Sequence, residues 1–190
     1  MTADVSVIVP AWRAEATLAR AVESALMQEG VGVEVIVVDD ASPDGTFAEA
    51  ERLATDSRVI ALKQDVNQGP SAARNRALEV ATGTYVTPLD SDDFMEPHRL
   101  ARLVEIARAE DLDAVADDLL TVSEDDIDGP RTRHFSQSEI GLRTIDLPAF
   151  ITGNLVAHHG GRGEMGYVKP LIRNAFLDKH GIRYDEDMRL

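Results

Sequence analysis

Three aspartates follow a short apolar run near the middle of the chain. Asp90, Asp92 and Asp93 come directly after Thr84–Leu89, with Ser91 among them. In an extended segment, Asp90 and Asp92 point to one side and Asp93 to the other. Two carboxylates on one face suit a hard divalent cation such as Mg²⁺ or Mn²⁺, which prefers oxygen ligands. The alternative is a solvated turn beside the N-terminus of the next helix, and the motif alone leaves both interpretations open.

Polar groups also follow the other apolar runs. Asp39 and Asp40 come after Val33–Val38, where a carboxylate can accept a hydrogen bond from a base N–H or a ribose hydroxyl. Arg74 lies in the first turn of a predicted helix, where a guanidinium suits a diphosphate, although an exposed helix arginine is the simpler interpretation. Trp12, the single tryptophan, either packs in the fold or lies against a base.

Alternating strand and helix patterns must position these groups. The predicted strands are Val5–Val9, Val33–Val38, Val59–Leu62 and Thr84–Leu89. The predicted helices cover Leu18–Leu26, Thr46–Leu53, Ser71 to about Ala81, Leu100–Ala107 and Asn174–His180. Such alternation favours an α/β fold, a mostly parallel sheet flanked by helices, whose ligands bind beyond the carboxyl ends of the strands.

The ends of the predicted helices follow from capping residues and from the glycines and prolines that interrupt a helix. Ser71 is predicted to cap the third helix, which Gly83 ends, and Pro97 is expected in the first turn of the fourth. Ala114–Val122 is predicted to be a strand and Ser123–Arg133 a loop. Residues 134–168 receive no assignment, and the helix at 174–180 is expected to end at Gly181.

The charge excludes some classes of protein. The chain carries 34 acidic and 19 basic residues, a net charge of −15, and 14 of the acids lie between Asp90 and Gly129. Because DNA and RNA are polyanions, nucleic acid is excluded as a partner. There is no cysteine, and no apolar run approaches the roughly 20 residues that span a bilayer. We therefore expect a cytoplasmic protein. A phospho-acceptor domain built on Asp39 and Asp40 remains an alternative, although a whole strand and helix precede that pair.

Taken together, four blocks resemble the family 2 glycosyltransferases, which have the GT-A fold, a Rossmann-like, mostly parallel sheet. The blocks are VSVIVPAWR (5–13), VIVVDDASPDGT (35–46), NQGPSAARNRAL (67–78) and TGTYVTPLDSDDFMEPHRL (82–100). Residues 166–190 are similar to the acceptor-side segment of bacterial exopolysaccharide transferases of the succinoglycan type.

The resemblance implies an inverting transferase that takes a nucleotide diphosphate sugar, commonly UDP-linked, with Mn²⁺ or Mg²⁺. The Pro10–Trp12 backbone and Asp40 are implied to hold uracil, and Asp90 to lie near the ribose. Asp92 is implied to bind the metal directly, with Asp93 supporting, and Asp90 is counted with them as a metal residue. The residues implied to bind the nucleotide sugar are Pro10, Ala11, Trp12, Asp40, Arg74, Asp90 and Ser91.

The acceptor implied is a saccharide or a lipid-linked sugar in polysaccharide synthesis, with peripheral contact at the inner face of the cytoplasmic membrane. We expect one domain over 1–190, with a nucleotide-sugar half at 1–120 and the start of an acceptor half at 121–190. The general base is implied beyond Leu190, with Asp187 as a fallback. We therefore expect a truncated chain with donor binding intact and transfer impaired. The alternative is a non-catalytic nucleotide-sugar-binding module.

Overall fold

The computed structural model describes residues 3–123, 125–134, 141, 143–154 and 168–187. The strands are β1 (Val5–Ala11), β2 (Val33–Asp39), β3 (Val59–Lys63), β4 (Tyr85–Pro88), β5 (Ala114–Val115), β6 (Leu120–Thr121), β7 (Thr132–Arg133) and β8 (Leu171–Arg173). The helices are α1 (Leu18–Leu26), α2 (Thr46–Leu53), α3 (Pro70–Leu78), α4 (Arg99–Ala109), α5 (Leu147–Asn154) and α6 (Asn174–His180).

A six-stranded sheet of order β3-β2-β1-β4-β8-β5 forms the centre of the first compact unit. This unit takes the described residues up to Val115 and those from Pro170 onward. The first four strands in that order run parallel to one another, whereas β8 is antiparallel to both β4 and β5. The predicted α/β class and mostly parallel sheet are confirmed.

Apolar side chains bury both faces of the sheet. Valines of β1 and β2, including Val5, Val7, Val35 and Val37, are fully inaccessible to solvent. Strands covered on both sides read as continuous apolar runs, which explains why the sequence pattern located them. The predicted stripe on α1 packs into the same core. The loops at the carboxyl ends of these strands are therefore attached to a buried, well-packed sheet.

The second compact unit, Ala116–Lys169, holds β6, β7 and α5. β6 and β7 pair as a two-stranded antiparallel sheet, with Thr121 opposite Thr132. The prediction of one strand over Ala114–Val122 is therefore wrong, because its two ends belong to different sheets. The predicted loop also ends too late, since β7 forms its last two residues. Residues 135–140, 142, 155–167 and 188–190 lie outside the described part of the chain.

Three predicted helix ends need correction. α3 begins at Pro70, with Gly69 as its N-cap, so Ser71 is not the cap, and it ends at Leu78 rather than near Ala81. Gly83 does not end that helix. Its N–H instead donates a hydrogen bond to Ser6 Oγ at 2.8 Å.

The third correction concerns α4, whereas the predicted end of α6 is confirmed. α4 begins at Arg99, so Pro97 precedes it, and the Pro97 carbonyl accepts a hydrogen bond from Glu29 N–H at 2.8 Å. α6 ends as predicted at Gly181, whose φ of 61° is the left-handed conformation that favours glycine. No helix within the described ranges is long and apolar enough to cross a bilayer.

Candidate functional site

A cavity of about 510 Å³ opens where β1, β2 and β4 end and α3 begins. This is the edge at which an open parallel sheet binds its ligands, and the volume lies in the range of about 300–1,000 Å³ found for small-molecule sites. The lining residues are Pro10, Ala11, Trp12, Asp40, Asn67, Gly69, Pro70, Ala73, Arg74, Asp90, Ser91 and Asp92. The structure thus brings all the residues predicted for the nucleotide sugar, and Asp92, to one cavity. Asp93 and Asp187 do not line it.

Asp40 organises the loop that forms one side of the cavity. It is only 3% exposed, and its carboxylate accepts three hydrogen bonds. Oδ1 accepts from Gln64 Nε2 at 2.7 Å and from Gln68 N–H at 2.8 Å, and Oδ2 accepts from Gly69 N–H at 2.8 Å. Gly69 has φ 92° and ψ 166°, a region essentially restricted to glycine. Pro70 then takes the first helical position, where its missing N–H costs nothing.

Asp39, the neighbour of Asp40, has a structural role. It is fully buried, and both of its carboxylate oxygens face Ser42 N–H at 3.3 Å. The Asp39 carboxylate is inaccessible to a phosphoryl donor, and the Asp40 carboxylate, although it lines the cavity, already accepts three hydrogen bonds. This arrangement disfavours the phospho-acceptor hypothesis.

Backbone strain is found at two rim positions of the cavity. Arg13 and Ala41, just past β1 and β2, have φ of 54° and 56°, which non-glycine residues rarely adopt. Arg13 N–H donates to Ser42 Oγ at 3.0 Å, which ties the two rims together. The Arg13 guanidinium lies 4.6 Å from the Trp12 ring centre, and Trp12 is 50% exposed. The indole is therefore a surface group at the cavity mouth and not a core residue.

The aspartates after β4 form a turn and not an extended segment, which is one of the two conformations that the sequence left open. Asp93 N–H donates to the Asp90 carbonyl at 3.1 Å, which closes the turn. Arg20 Nη2 donates to the Asp92 carbonyl at 2.6 Å, and its guanidinium lies 5.4 Å from the Phe94 ring centre. Asp90 and Asp92 nevertheless both face the cavity, because the turn directs them there.

Arg74 and Asp90 form an ion pair inside the cavity. Arg74 Nη2 lies 3.0 Å from Asp90 Oδ1, with side-chain exposures of 21% and 32%. The Arg74 guanidinium also lies 5.4 Å from the Tyr184 ring centre. Arg74 is therefore a cavity residue and not the exposed helix arginine of the simpler interpretation.

The donor set fits a divalent cation held together with a ligand. Among the described residues, no three His, Cys, Asp or Glu side chains gather into a metal cage. The lining carries three carboxylates, Asp40, Asp90 and Asp92, against one guanidinium, Arg74. An anionic ligand here needs added positive charge. Mg²⁺ is usually held by one or two carboxylates plus substrate phosphates, and the exposed Asp92 can supply such a carboxylate.

Sequence reasoning left four lining residues out of the predicted site: Asn67, Gly69, Pro70 and Ala73. Asn67 Nδ2 donates to the Asp40 carbonyl at 3.1 Å, and this contact joins residues 27 positions apart. A signal was present, because a Gly-Pro pair directly before a helical pattern marks a helix start. Placed after a strand, that start belongs to the ligand edge of the sheet.

The family model for glycosyl transferase family 2 matches residues 6–176. The chain is 41% identical to the succinoglycan biosynthesis protein ExoO of Rhizobium meliloti, over 98% of this chain and 52% of that protein. It is 39% identical to ExoU of the same organism, over 98% and 54%. It is 36% identical to the Escherichia coli protein WfaP, over 56% and 42%; that protein is described as a UDP-Glc:alpha-D-GlcNAc-diphosphoundecaprenol beta-1,3-glucosyltransferase. The chain spans about half the length of the curated relatives it matches.

Solved structures share the fold at low sequence identity. Residues 1–349 of Staphylococcus aureus TarS superpose with a TM-score of 0.77 and 23% identity, over 98% of this chain and 51% of that one. The TarS complex with UDP-GlcNAc gives 0.70 and 21%, over 95% and 48%. The Pyrobaculum calidifontis mannosyltransferase PcManGT, in complex with GDP-Man and Mn²⁺, gives 0.66 and 20%, over 99% and 49%. The fold is GT-A, as the sequence predicted.

Proposed function

The chain belongs to glycosyl transferase family 2, and from this premise we propose that its cavity binds the nucleotide diphosphate of a sugar donor. The observation that carries the proposal is the cavity itself. Four separate stretches of sequence meet there, and they bring an exposed indole, a buried carboxylate, an ion-paired guanidinium and an exposed carboxylate to one place. A nucleotide sugar has matching parts, which are a base, a ribose and a charged diphosphate.

We assign the base to the Trp12 side of the cavity. The Pro10–Trp12 main chain leaves β1 at the rim, and the Trp12 indole offers an aromatic face for stacking. We assign the ribose to Asp90, whose carboxylate can accept a hydrogen bond from a ribose hydroxyl while it remains paired with Arg74. UDP is the proposed nucleotide, supported by the UDP-GlcNAc complex of TarS and by the UDP-Glc in the description of WfaP.

The diphosphate belongs between Arg74 and Asp92. Arg74 supplies a guanidinium that can donate to phosphate oxygens, and α3 begins with its positive dipole end at the cavity. Asp92 would hold Mn²⁺ or Mg²⁺, with Asp90 beside it and Asp93 in the same turn. When bound, the cation supplies Lewis-acid stabilisation of the charge that develops on the leaving diphosphate.

The reaction proposed is transfer of the sugar with inversion to a saccharide or lipid-linked acceptor in polysaccharide synthesis. The names of ExoO and ExoU and the diphosphoundecaprenol acceptor of WfaP support it. An acceptor hydroxyl must lose its proton to a base on the face of the sugar opposite the leaving group. The residues that line the cavity orient the donor and neutralise the leaving group, and the base is a further group. Work at the inner face of the cytoplasmic membrane is part of this proposal.

The test is calorimetric titration of this chain with UDP, with and without Mn²⁺. We expect the metal to tighten binding by at least about tenfold, because the cavity lining is acidic and the ligand is an anion. Asp92→Ala should abolish that gain. Glu105→Ala is the matched control, because it removes an exposed carboxylate from α4, away from the cavity. GDP and CDP should bind more weakly than UDP.

Two outcomes would refute the assignment: no binding of UDP, or binding that neither the metal nor Asp92→Ala changes. Incubation with UDP-sugars and saccharide acceptors then separates an enzyme from a module that only binds donors. Transfer of label from the UDP-sugar to the acceptor supports the transferase. Donor binding without any transfer supports the binding module.

A further inference from the structure

The chain after α6 returns to α3, where the Asn75 side chain binds it with three hydrogen bonds. Asn75 Nδ2 donates to the Tyr184 carbonyl at 2.9 Å, and Tyr184 N–H donates to Asn75 Oδ1 at 2.9 Å. The same Nδ2 donates to Glu186 Oε1 at 2.7 Å. One amide thus binds both main-chain groups of a residue 109 positions away, as a neighbouring strand would.

Asparagine is a poor choice for the middle of a helix, because its side chain competes for backbone hydrogen bonds outside the helix. At this position of α3 its amide is used for the contact with the later segment instead. The Tyr184 side chain packs against the apolar cluster that includes Ile8 and Leu177, where it is partly buried. The placement of this ring is therefore determined by two independent contacts, the amide and the apolar cluster.

The Tyr184 ring lies against Arg74, the residue that precedes Asn75 in α3. The Arg74 guanidinium is 5.4 Å from the ring centre, and Arg74 Nη2 reaches Asp90 Oδ1 at 3.0 Å. Burial raises the pKa of the Tyr184 hydroxyl, Arg74 lowers it and Asp90 raises it. The Tyr184 hydroxyl is thus close enough to Arg74 and Asp90 for both charges to change its pKa. A long arginine side chain is held between an aromatic face and a carboxylate.

We propose that Tyr184, held by Asn75, is a positioning residue that fixes the Arg74 guanidinium in the donor cavity for contact with the diphosphate. The inference rests on the proposed function for its ligand. Its consequence is that the segment after α6 controls donor affinity although none of the residues described there, 181–187, lines the cavity. An arginine carries many rotamers, so a partner that selects one of them lowers the entropy lost when the ligand binds.

The test compares Tyr184→Leu with Tyr184→Phe. Leucine keeps apolar bulk but removes the aromatic face, whereas phenylalanine keeps the face and removes only the hydroxyl. We expect Tyr184→Leu to weaken UDP binding about 2- to 30-fold, the range of a cation–π contact. Tyr184→Phe should stay within about twofold of the wild type. Binding of uridine, which has no phosphate, should be the same in all three proteins.

A double-mutant cycle separates positioning from a general structural effect. If Tyr184 acts through Arg74, then Tyr184→Leu should have no further effect on UDP affinity in an Arg74→Ala background. Equal losses in both backgrounds would overturn the proposal, as would an unchanged affinity of Tyr184→Leu for UDP. Asn75→Ala gives a second route, because it releases the segment and leaves the ring intact. It should weaken UDP in the same way and leave uridine unchanged.

An NMR measurement on the protein without ligand tests the positioning role of Tyr184 separately from the proposed binding of a nucleotide. The Nε–Hε group of Arg74 should give an ordered NMR signal in the wild type and in Tyr184→Phe, and a more mobile one in Tyr184→Leu. Equal mobility in all three proteins would refute positioning even if UDP binds. If the wild type does not bind UDP, the proposed function fails, and the NMR comparison still decides whether Tyr184 orders Arg74.

Discussion

Replacing Asp40 with asparagine exchanges one carboxylate oxygen for an NH₂ group that can no longer accept a hydrogen bond. Oδ1 accepts from Gln64 Nε2 and Gln68 N–H, and Oδ2 accepts from Gly69 N–H. In the better orientation, the amide oxygen takes the place of Oδ1 and keeps two bonds, so the NH₂ group faces Gly69 N–H. In the other orientation, two of the three bonds are lost. The substitution therefore sacrifices at least one bond to a charged group.

The magnitude follows from that count. A hydrogen bond to a charged group contributes about 1.5–3 kcal/mol, and a buried donor left without a partner costs about 1–3 kcal/mol. Because these two costs partly count the same loss at Gly69 N–H, they are not simply added. We expect Asp40→Asn to lower the free energy of unfolding by about 2–4 kcal/mol. That is a large share of the roughly 5–15 kcal/mol of a typical domain. It should also weaken UDP binding, because Gly69 lines the cavity and loses the bond that holds its main chain.

Urea denaturation followed by circular dichroism measures the loss, and calorimetry with UDP and Mn²⁺ measures the affinity. Asp39→Asn is the matched control, because it removes the same charge from the adjacent buried residue. Its remaining amide oxygen can still accept from Ser42 N–H, the partner that both oxygens of Asp39 now face. We expect this control to cost less than about 1.5 kcal/mol. An Asp40→Asn loss no larger than that of Asp39→Asn would refute the role given to Asp40.

Three further substitutions test the fold at positions outside the cavity lining. Gly83→Ala places a Cβ 2.5 Å from Ser6 N and should cost about 1–3 kcal/mol in urea denaturation; an unchanged midpoint would contradict the close packing. Gly181→Ala has open space around its Cβ but keeps φ at 61°, so we expect a loss of about 1–2 kcal/mol with unchanged UDP affinity, measured by denaturation and calorimetry. The side-chain hydrogen bond from Arg58 lowers the pKa of Asp56 to about 2, so its contribution to stability is complete above about pH 4 and is lost as pH falls toward 2. Thermal melts of Asp56→Asn should therefore differ from the wild type at pH 5 and converge with it near pH 2, and a constant difference would refute the pair.

Much of the fold could be predicted because its signals are local. The valine runs of β1 and β2 are buried on both faces, so composition alone marks them as strands. The stripe on α1 repeats with the helical period and packs into the core as predicted. Parallel strands place their carboxyl ends at one edge, so the polar groups after the first four strands could be expected to meet there.

Tertiary contacts decided the rest. The turn of aspartates after β4 is contacted by Arg20, which donates to the Asp92 carbonyl across 72 positions of sequence. Gly83 resembled a helix C-terminus, but its place is set by Ser6, and no short window of sequence contains both residues. β8 enters the sheet antiparallel between β4 and β5, a pairing that no periodicity encodes.

Most of the residues that line the cavity could therefore be predicted from the sequence, whereas the contacts that orient them could not. Residue type and position after a strand place Asp40, Arg74 and Asp92 at one edge, because the sheet itself brings strand ends together. Only the folded chain determines that Tyr184 lies against Arg74, since Tyr184 is held by hydrogen bonds to the Asn75 side chain across 109 positions. Chemistry follows from local residue types, and orientation follows from contacts between residues that are far apart in the chain.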